Sequence, residues 1–89
     1  MKIKLELFGA SRDFSDKDHL EFNIEKKIEI KNFRKEIINY LKKRFEGNDK
    51  FIKIVDTSAF CSEDNNIIND DFKITKDQKI GIIPPIGGG

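Results

Sequence analysis

The 89-residue sequence has no tryptophan, one cysteine, one histidine and two prolines. A lone Cys61 cannot close an internal disulfide, and with His19 as the sole histidine there is no Cys/His cluster to hold a structural zinc. No metal site is expected, and the cysteine usage suits a reducing cytoplasm. An excess of either charge is also missing. Seventeen Lys+Arg against sixteen Asp+Glu leave a net charge of +1, so the basic surplus that phosphate-backbone binding demands is lacking, which argues against nucleic acid as a primary partner. No apolar run approaches the ~18 residues of a membrane-spanning helix. The N-terminal MKIKLELF alternates charged and aliphatic residues where a secretory signal would build an apolar block, so neither membrane nor export is expected. The length is far below the roughly 250 residues at which chains divide into several cores, and one domain is expected.

Two hydrophobic periods are present. Ile3, Leu5 and Leu7 alternate with Lys2, Lys4 and Glu6, the pattern of a strand buried on one face. Leu20, Phe22 and Ile24 alternate with His19, Glu21 and Asn23 in the same way, and the two segments predict a hairpin joined by a long polar loop. From about Ile30 the period changes: Phe33, Ile37, Ile38, Leu41 and Phe45 wrap one stripe of a helix, with Lys31, Arg34, Lys35, Asn39 and Lys42 towards water. Gly47 is a stop signal, Lys42, Lys43 and Arg44 suit the negative end of the helix dipole, and Glu29 is the weak cap on offer at the start. Phe51 to Val55 predicts a third strand. Residues 56–78 predict a loop centred on Ser62-Glu63-Asp64-Asn65-Asn66 with one minor strand, and Ile80 to Ile83 a short final strand. This order predicts an α+β domain over residues 1–83, a mixed sheet packed on one main helix with the first and last strands adjacent at its centre.

The last six residues, Pro84-Pro85-Ile86-Gly87-Gly88-Gly89, form a tail of different composition. At the usual glycine content of ~7%, three successive terminal glycines arise in about 3 chains per 10,000, so chance is a poor explanation. Two prolines hold the exit from the last strand extended, and residues without Cβ make a thread slim enough for a narrow channel. The carboxylate of such a thread can enter another protein's active site, be activated as a mixed anhydride with a nucleotide, and accept a sulfur or nitrogen nucleophile.

A small domain ending in Pro-Pro-aliphatic-small-Gly-Gly resembles the MoaD family, the small sulfur-carrying subunits of molybdopterin synthases within the MoaD/ThiS ubiquitin-like superfamily. Gly87 stands at the small position and Gly88-Gly89 at the terminal diglycine, while Leu7-Phe8-Gly9-Ala10-Ser11-Arg12-Asp13 is similar to the family's first strand end. The sequence departs from the family at Lys76-Asp77-Gln78, where Asp-Gly-Asp is usual, at Asp56, where Asn is common, and in a longer 57–69 loop. The resemblance implies a β-grasp fold and no permanently bound cofactor. Gly89 would be adenylated by an ATP-dependent enzyme of the ubiquitin-activating type, carrying AMP transiently, and then converted to a thiocarboxylate by a persulfide donor. The tail, Pro84 to Gly88, would enter the channel of a larger synthase subunit in a heterotetramer. Phe8, Phe60 and Ile83 are the candidates for an apolar surface docking these partners. Related carriers serve thiazole synthesis or tRNA thiolation, and a ubiquitin-like binding module without covalent chemistry is the third alternative.

Other residues weigh less. Cys61 has no recognisable electropositive neighbours to activate its thiol and is expected to be a small packing residue in the loop. His19 falls on the polar side of its strand, facing solvent. The Lys42-Lys43-Arg44 cluster is explained by the helix end, with contact to an acidic partner as the alternative.

Overall fold

A computed structural model describes residues 1–85. Strands β1 (Lys2–Leu7) and β2 (His19–Asn23) form the expected antiparallel hairpin, pairing Ile3 with Phe22 and Leu5 with Leu20. Their connection begins with a 3-10 helix over Gly9–Phe14. The two-residue strand β3 (Ile28–Glu29) leads directly into helix α1 (Ile30–Arg44). Ile30, Phe33, Ile37 and Leu41 make its fully buried stripe, the i, i+3, i+7 spacing that sequence periodicity anticipates.

The start of α1 has no side-chain cap: Glu29 makes no capping hydrogen bond. The orphan amides of the first turn are satisfied from elsewhere, since Ile30 N–H donates to the carbonyl of Phe72 at 2.9 Å and Lys31 N–H to that of Asp70 at 3.1 Å. Arg34, expected to face water, is instead largely buried. It donates to the carbonyls of Val55 (2.7 Å) and Ser58 (2.8 Å), meets the Asp70 carboxylate at 3.1 Å, and lies 4.8 Å over the Phe60 ring.

The predicted third strand is a helix. Helix α2 spans Asp49–Thr57 and starts at Asn48, whose side-chain oxygen accepts from the amides of Lys50 (3.0 Å) and Phe51 (3.2 Å), a strong N-cap. Phe51, Ile54 and Val55 turn towards the core at i, i+3 and i+4. Phe51 meets Phe14 of the 3-10 helix at 5.1 Å and Phe45 at 4.9 Å between ring centroids, which holds α2 in place.

The 56–78 stretch contains three short strands rather than one: β4 (Ala59–Cys61), β5 (Ile67–Ile68) and β6 (Lys73–Ile74). Cys61 accordingly lies in a strand, not a loop. The Ser62–Asn66 turn between β4 and β5 is closed by Ser62 N–H donating to the Asn66 carbonyl at 2.9 Å. The last strand, β7 (Gln78–Ile83), runs parallel to β1 and antiparallel to β4.

The main sheet therefore has the order β2-β1-β7-β4-β5, with β7 in the middle and a separate β3-β6 pair beside it. Its inner face carries Ile3, Leu5, Leu7, Leu20, Phe60, Ile80 and Ile82. These pack against α1: Phe33 approaches Phe22 at 5.4 Å and Phe60 at 6.4 Å. One face of a twisted mixed sheet covered by helices gives the two-layer α+β arrangement of a β-grasp domain. The departure at Lys76-Asp77-Gln78 has a structural consequence, because the Asp77 carboxylate accepts the Lys2 amide at 2.8 Å and ties the start of β1 to the approach to β7. No helix among the described residues is long and apolar enough to cross a membrane.

Candidate functional site

Because β1 and β7 are parallel, they end on the same edge of the domain: Leu7 pairs with Ile82, β1 continues into Phe8 and the 3-10 helix, and β7 ends at Ile83 before Pro84. Proline has no amide to donate to a ladder, so a Pro-Pro pair terminates sheet pairing where the tail begins. Pro84 is buried and Pro85 exposed. The Pro84 ring lies beside Gly9, its Cδ 3.9 Å from where a Cβ at Gly9 would stand. The tail root thus sits beside the 3-10 helix, next to the most central strand. Ile86, Gly87, Gly88 and Gly89 lie outside the described residues.

The outward face of the sheet beside this root is apolar. Residues of β7 alternate, Ile80 and Ile82 inward and Gly81 and Ile83 outward, so the consecutive isoleucines are divided between the two faces. Gly81 is required by its neighbours: a Cβ there would lie 2.6 Å from the Cys61 sulfur and 3.0 Å from Cε2 of Phe8. Phe8 and Cys61 close over the bare strand, leaving Cys61 7% exposed while Phe8 remains 37% exposed. Cys61 is thereby a packing residue under an aromatic ring. Phe8 and the half-buried Ile83 are brought to one face, next to the tail root.

Phe60 is not part of that surface. It is the middle residue of a three-residue strand, points inward, and is 1% exposed between Phe33 and the Arg34 guanidinium. Its place as a candidate docking residue is corrected by parity: the outward neighbours in β4 are Ala59 and Cys61. Ile67, which sequence reading did not single out, is 67% exposed and pairs with Cys61, which puts it in the same cross-strand row. The signal was the dipeptide Ile67-Ile68, too short to assign a parity from sequence.

A concave surface lies on the other side of the root. The groove of about 550 Å³ is bounded by Ala10, Ile54, Thr57, Pro84 and Pro85. Lys50 and Lys53 complete its lining.

The remaining charged candidates lie elsewhere. His19 is only half-exposed, between the Asp18 carboxylate at 2.9 Å from Nδ1 and the Glu21 carboxylate at 3.8 Å from Nε2. The hydrogen bond from His19 holds the Asp18 carboxyl below its ordinary pKa. In the basic cluster ending α1, Arg44 stacks 5.0 Å over the ring of Phe45. Among the described residues no three His, Cys, Asp or Glu side chains are grouped to hold a metal ion.

The fold defines a ubiquitin-like β-grasp domain. Among solved structures, it is similar to the Pyrococcus furiosus protein provisionally named molybdopterin converting factor, subunit 1, with a TM-score of 0.70 and 20% identity, over 96% of this chain and 98% of that one. It is also similar to SAMP1 from Haloferax volcanii, with a TM-score of 0.68 and 12% identity, over the whole of both chains. At these identities the likeness establishes the fold. No family model matches the sequence. No curated protein matches it either.

Proposed function

We propose that this protein is a sulfur carrier serving as the small subunit of a molybdopterin synthase in molybdenum cofactor biosynthesis. The observation that carries the reading is the passage of the central strand of a β-grasp sheet through the Pro84-Pro85 root into Ile86-Gly87-Gly88-Gly89. The name of the Pyrococcus furiosus protein of the same fold supports it.

In this reading Gly89 reacts first with ATP, its carboxylate displacing pyrophosphate to give an acyl-adenylate. The adenylate is needed because a free carboxylate repels an anionic nucleophile and offers no leaving group. The terminal sulfur of a persulfide attacks the acyl carbon and AMP departs. A thiol then cleaves the sulfur–sulfur bond to the donor, leaving a thiocarboxylate on Gly89 and a disulfide on the donor side. The loaded tail enters the larger subunit, whose side chains catalyse transfer of the sulfur to a pterin precursor to build its dithiolene. The small chain contributes the sulfur and a slender carrier for it. Phe8 and Ile83, with Ile67 beside them, dock the activating enzyme and the larger subunit in turn, because an apolar surface at the tail root is covered whenever the tail is threaded into a channel.

Sizing of the chain mixed with a larger synthase subunit tests the pathway. Co-elution as a heterotetramer, with loaded chain converting the pterin precursor, is the expected result. A loaded chain that neither co-elutes nor supports conversion would place the carrier in another sulfur-transfer pathway.

A further inference from the structure

We propose that the groove on the other side of the tail root is a second docking surface, and that it takes a partner segment in which aliphatic side chains are flanked by carboxylates. Two observations fit that chemistry. Ala10, Ile54, Pro84 and Pro85 give the groove its apolar lining, and among the described residues the charged members of the lining are Lys50 and Lys53. Lys50, Lys53, Ile54 and Thr57 follow one another at i, i+3, i+4 and i+7, so one face of α2 presents both ammonium groups beside the apolar surface. Neither lysine makes a salt bridge with a described residue, so both ammonium groups are free to meet an incoming carboxylate. Among the described residues no carboxylate lines the groove to compete with an incoming one. An occupant that buries aliphatic groups while setting acidic groups against the lysines satisfies both features, and a basic occupant would satisfy only the first.

Position argues for a partner protein. Pro84 and Pro85 are at once the root of the tail and part of the groove lining, so a protein that draws in the tail passes over this surface as well as over Phe8 and Ile83. The choice of a tail-gripping partner rests on the carrier reading; the charge and apolar character of the groove do not. Held on both flanks of its root, the tail would be aimed along one direction, and the lysines would distinguish partners by the sign of their charge, a discrimination that the apolar sheet face cannot make.

The test uses the free full-length chain. Its amide NMR spectrum is followed while acetyl-Glu-Leu-Leu-Glu-amide is added, and separately acetyl-Lys-Leu-Leu-Lys-amide. The acidic peptide is expected to shift the amides of Ala10, Lys50, Lys53, Ile54 and Thr57 and to bind about ten-fold more tightly than the basic one. The paired change Lys50→Glu and Lys53→Glu should invert that order, and Lys50→Gln with Lys53→Gln should abolish the preference without inverting it. Since both side chains are exposed, an unchanged spectrum away from α2 verifies that each variant is folded. Equal binding of the two peptides, no binding, shifts confined to Phe8, Ile67 and Ile83, or groove shifts that follow protein concentration without peptide would each overturn the proposal, the last by making a second copy the occupant. Failure of Gly89 to accept sulfur while the acidic peptide still binds the groove would overturn the carrier reading alone.

Discussion

The two faces of β7 are built differently. Inward, Ile80 and Ile82 are fully buried against the helical layer. Outward, Gly81 carries no side chain, the Phe8 ring and the Cys61 sulfur close over it, and Ile83 is left half-buried beside the tail root. Similar isoleucines, adjacent in sequence, thus stand in different settings: Ile82 is packed in the core, whereas Ile83 lies on the outward face, in the surface proposed above to dock partners. The difference teaches that strand parity divides the core from the outward surface here, and that, under the proposed docking role, changes on either face should be read by different measurements.

The largest separation is expected beyond the strand, in the tail. Gly88→Val should abolish sulfur loading, because a β-branched side chain stiffens and widens the thread. Thermal unfolding should barely change, and a melting temperature far below the parent's would make the tail a structural element. Within β7, Ile82→Ala should cost about 2–5 kcal/mol in urea unfolding through the cavity that it leaves. The outward Ile83→Ala should cost less than the inward change, since Ile83 is only partly buried and the truncated side chain opens to solvent rather than leaving a closed cavity. Its effect should appear as weaker association with the larger subunit. Equal destabilisation by the two would erase the contrast between the faces.

Gly81→Ala sharpens the same comparison by adding one methyl group to the outward face. It should cost about 1–3 kcal/mol by overpacking, because the new atom meets the Cys61 sulfur at 2.6 Å and the Phe8 ring at 3.0 Å. Combined with Cys61→Ala it should be milder than the sum of the single changes, a coupling that a double-mutant cycle reads directly. The smallest effect belongs to the pair of exposed Asp18 and partly buried His19. The folded-state pKa of Asp18 is lowered by its hydrogen bond to His19, so the pair's contribution is present above the ordinary carboxylate pKa and lost as pH falls through the lowered one. Asp18→Asn should therefore be slightly destabilising at neutral pH and indistinguishable from the parent in strong acid, as followed by urea unfolding across that range.

The elements legible from sequence are those with enough length to show a period. β1 and β2 alternate over five or six residues, α1 repeats its apolar stripe over four turns, and the adjacency of β1 and β7 follows from the order of elements. The middle of the chain was not legible in the same way. Phe51-Ile52-Lys53-Ile54-Val55 is an apolar-rich run whose spacing fits a strand or a helix, and the deciding feature is the Asn48 cap immediately before the helix. β4, β5 and β6 are two or three residues each and are defined by partners distant in sequence, so their parity, and with it the burial of Phe60 and the exposure of Ile67, has no local signature. Arg34 reads as a solvated helix residue because its acceptors lie 21 and 24 residues further along the chain. At the site, the tail motif was visible as composition, and Phe8 and Ile83 as apolar residues near strand ends. The lysine-edged groove exists only because α2 is a helix packed beside the 3-10 turn, so a reading that made 51–55 a strand could not have assembled it.

The measurement that bears most directly on the central claim is the intact and fragment mass of the chain after incubation with ATP, an adenylating enzyme and a persulfide donor. The carrier reading expects a gain equal to one sulfur replacing one oxygen, localised to Gly89, unchanged in Cys61→Ser and lost when Gly89 is deleted, since the carbonyl then stops one residue, about 3.5 Å, short of the active site. Sulfur found on Cys61, or loading that persists after the deletion, would contradict it.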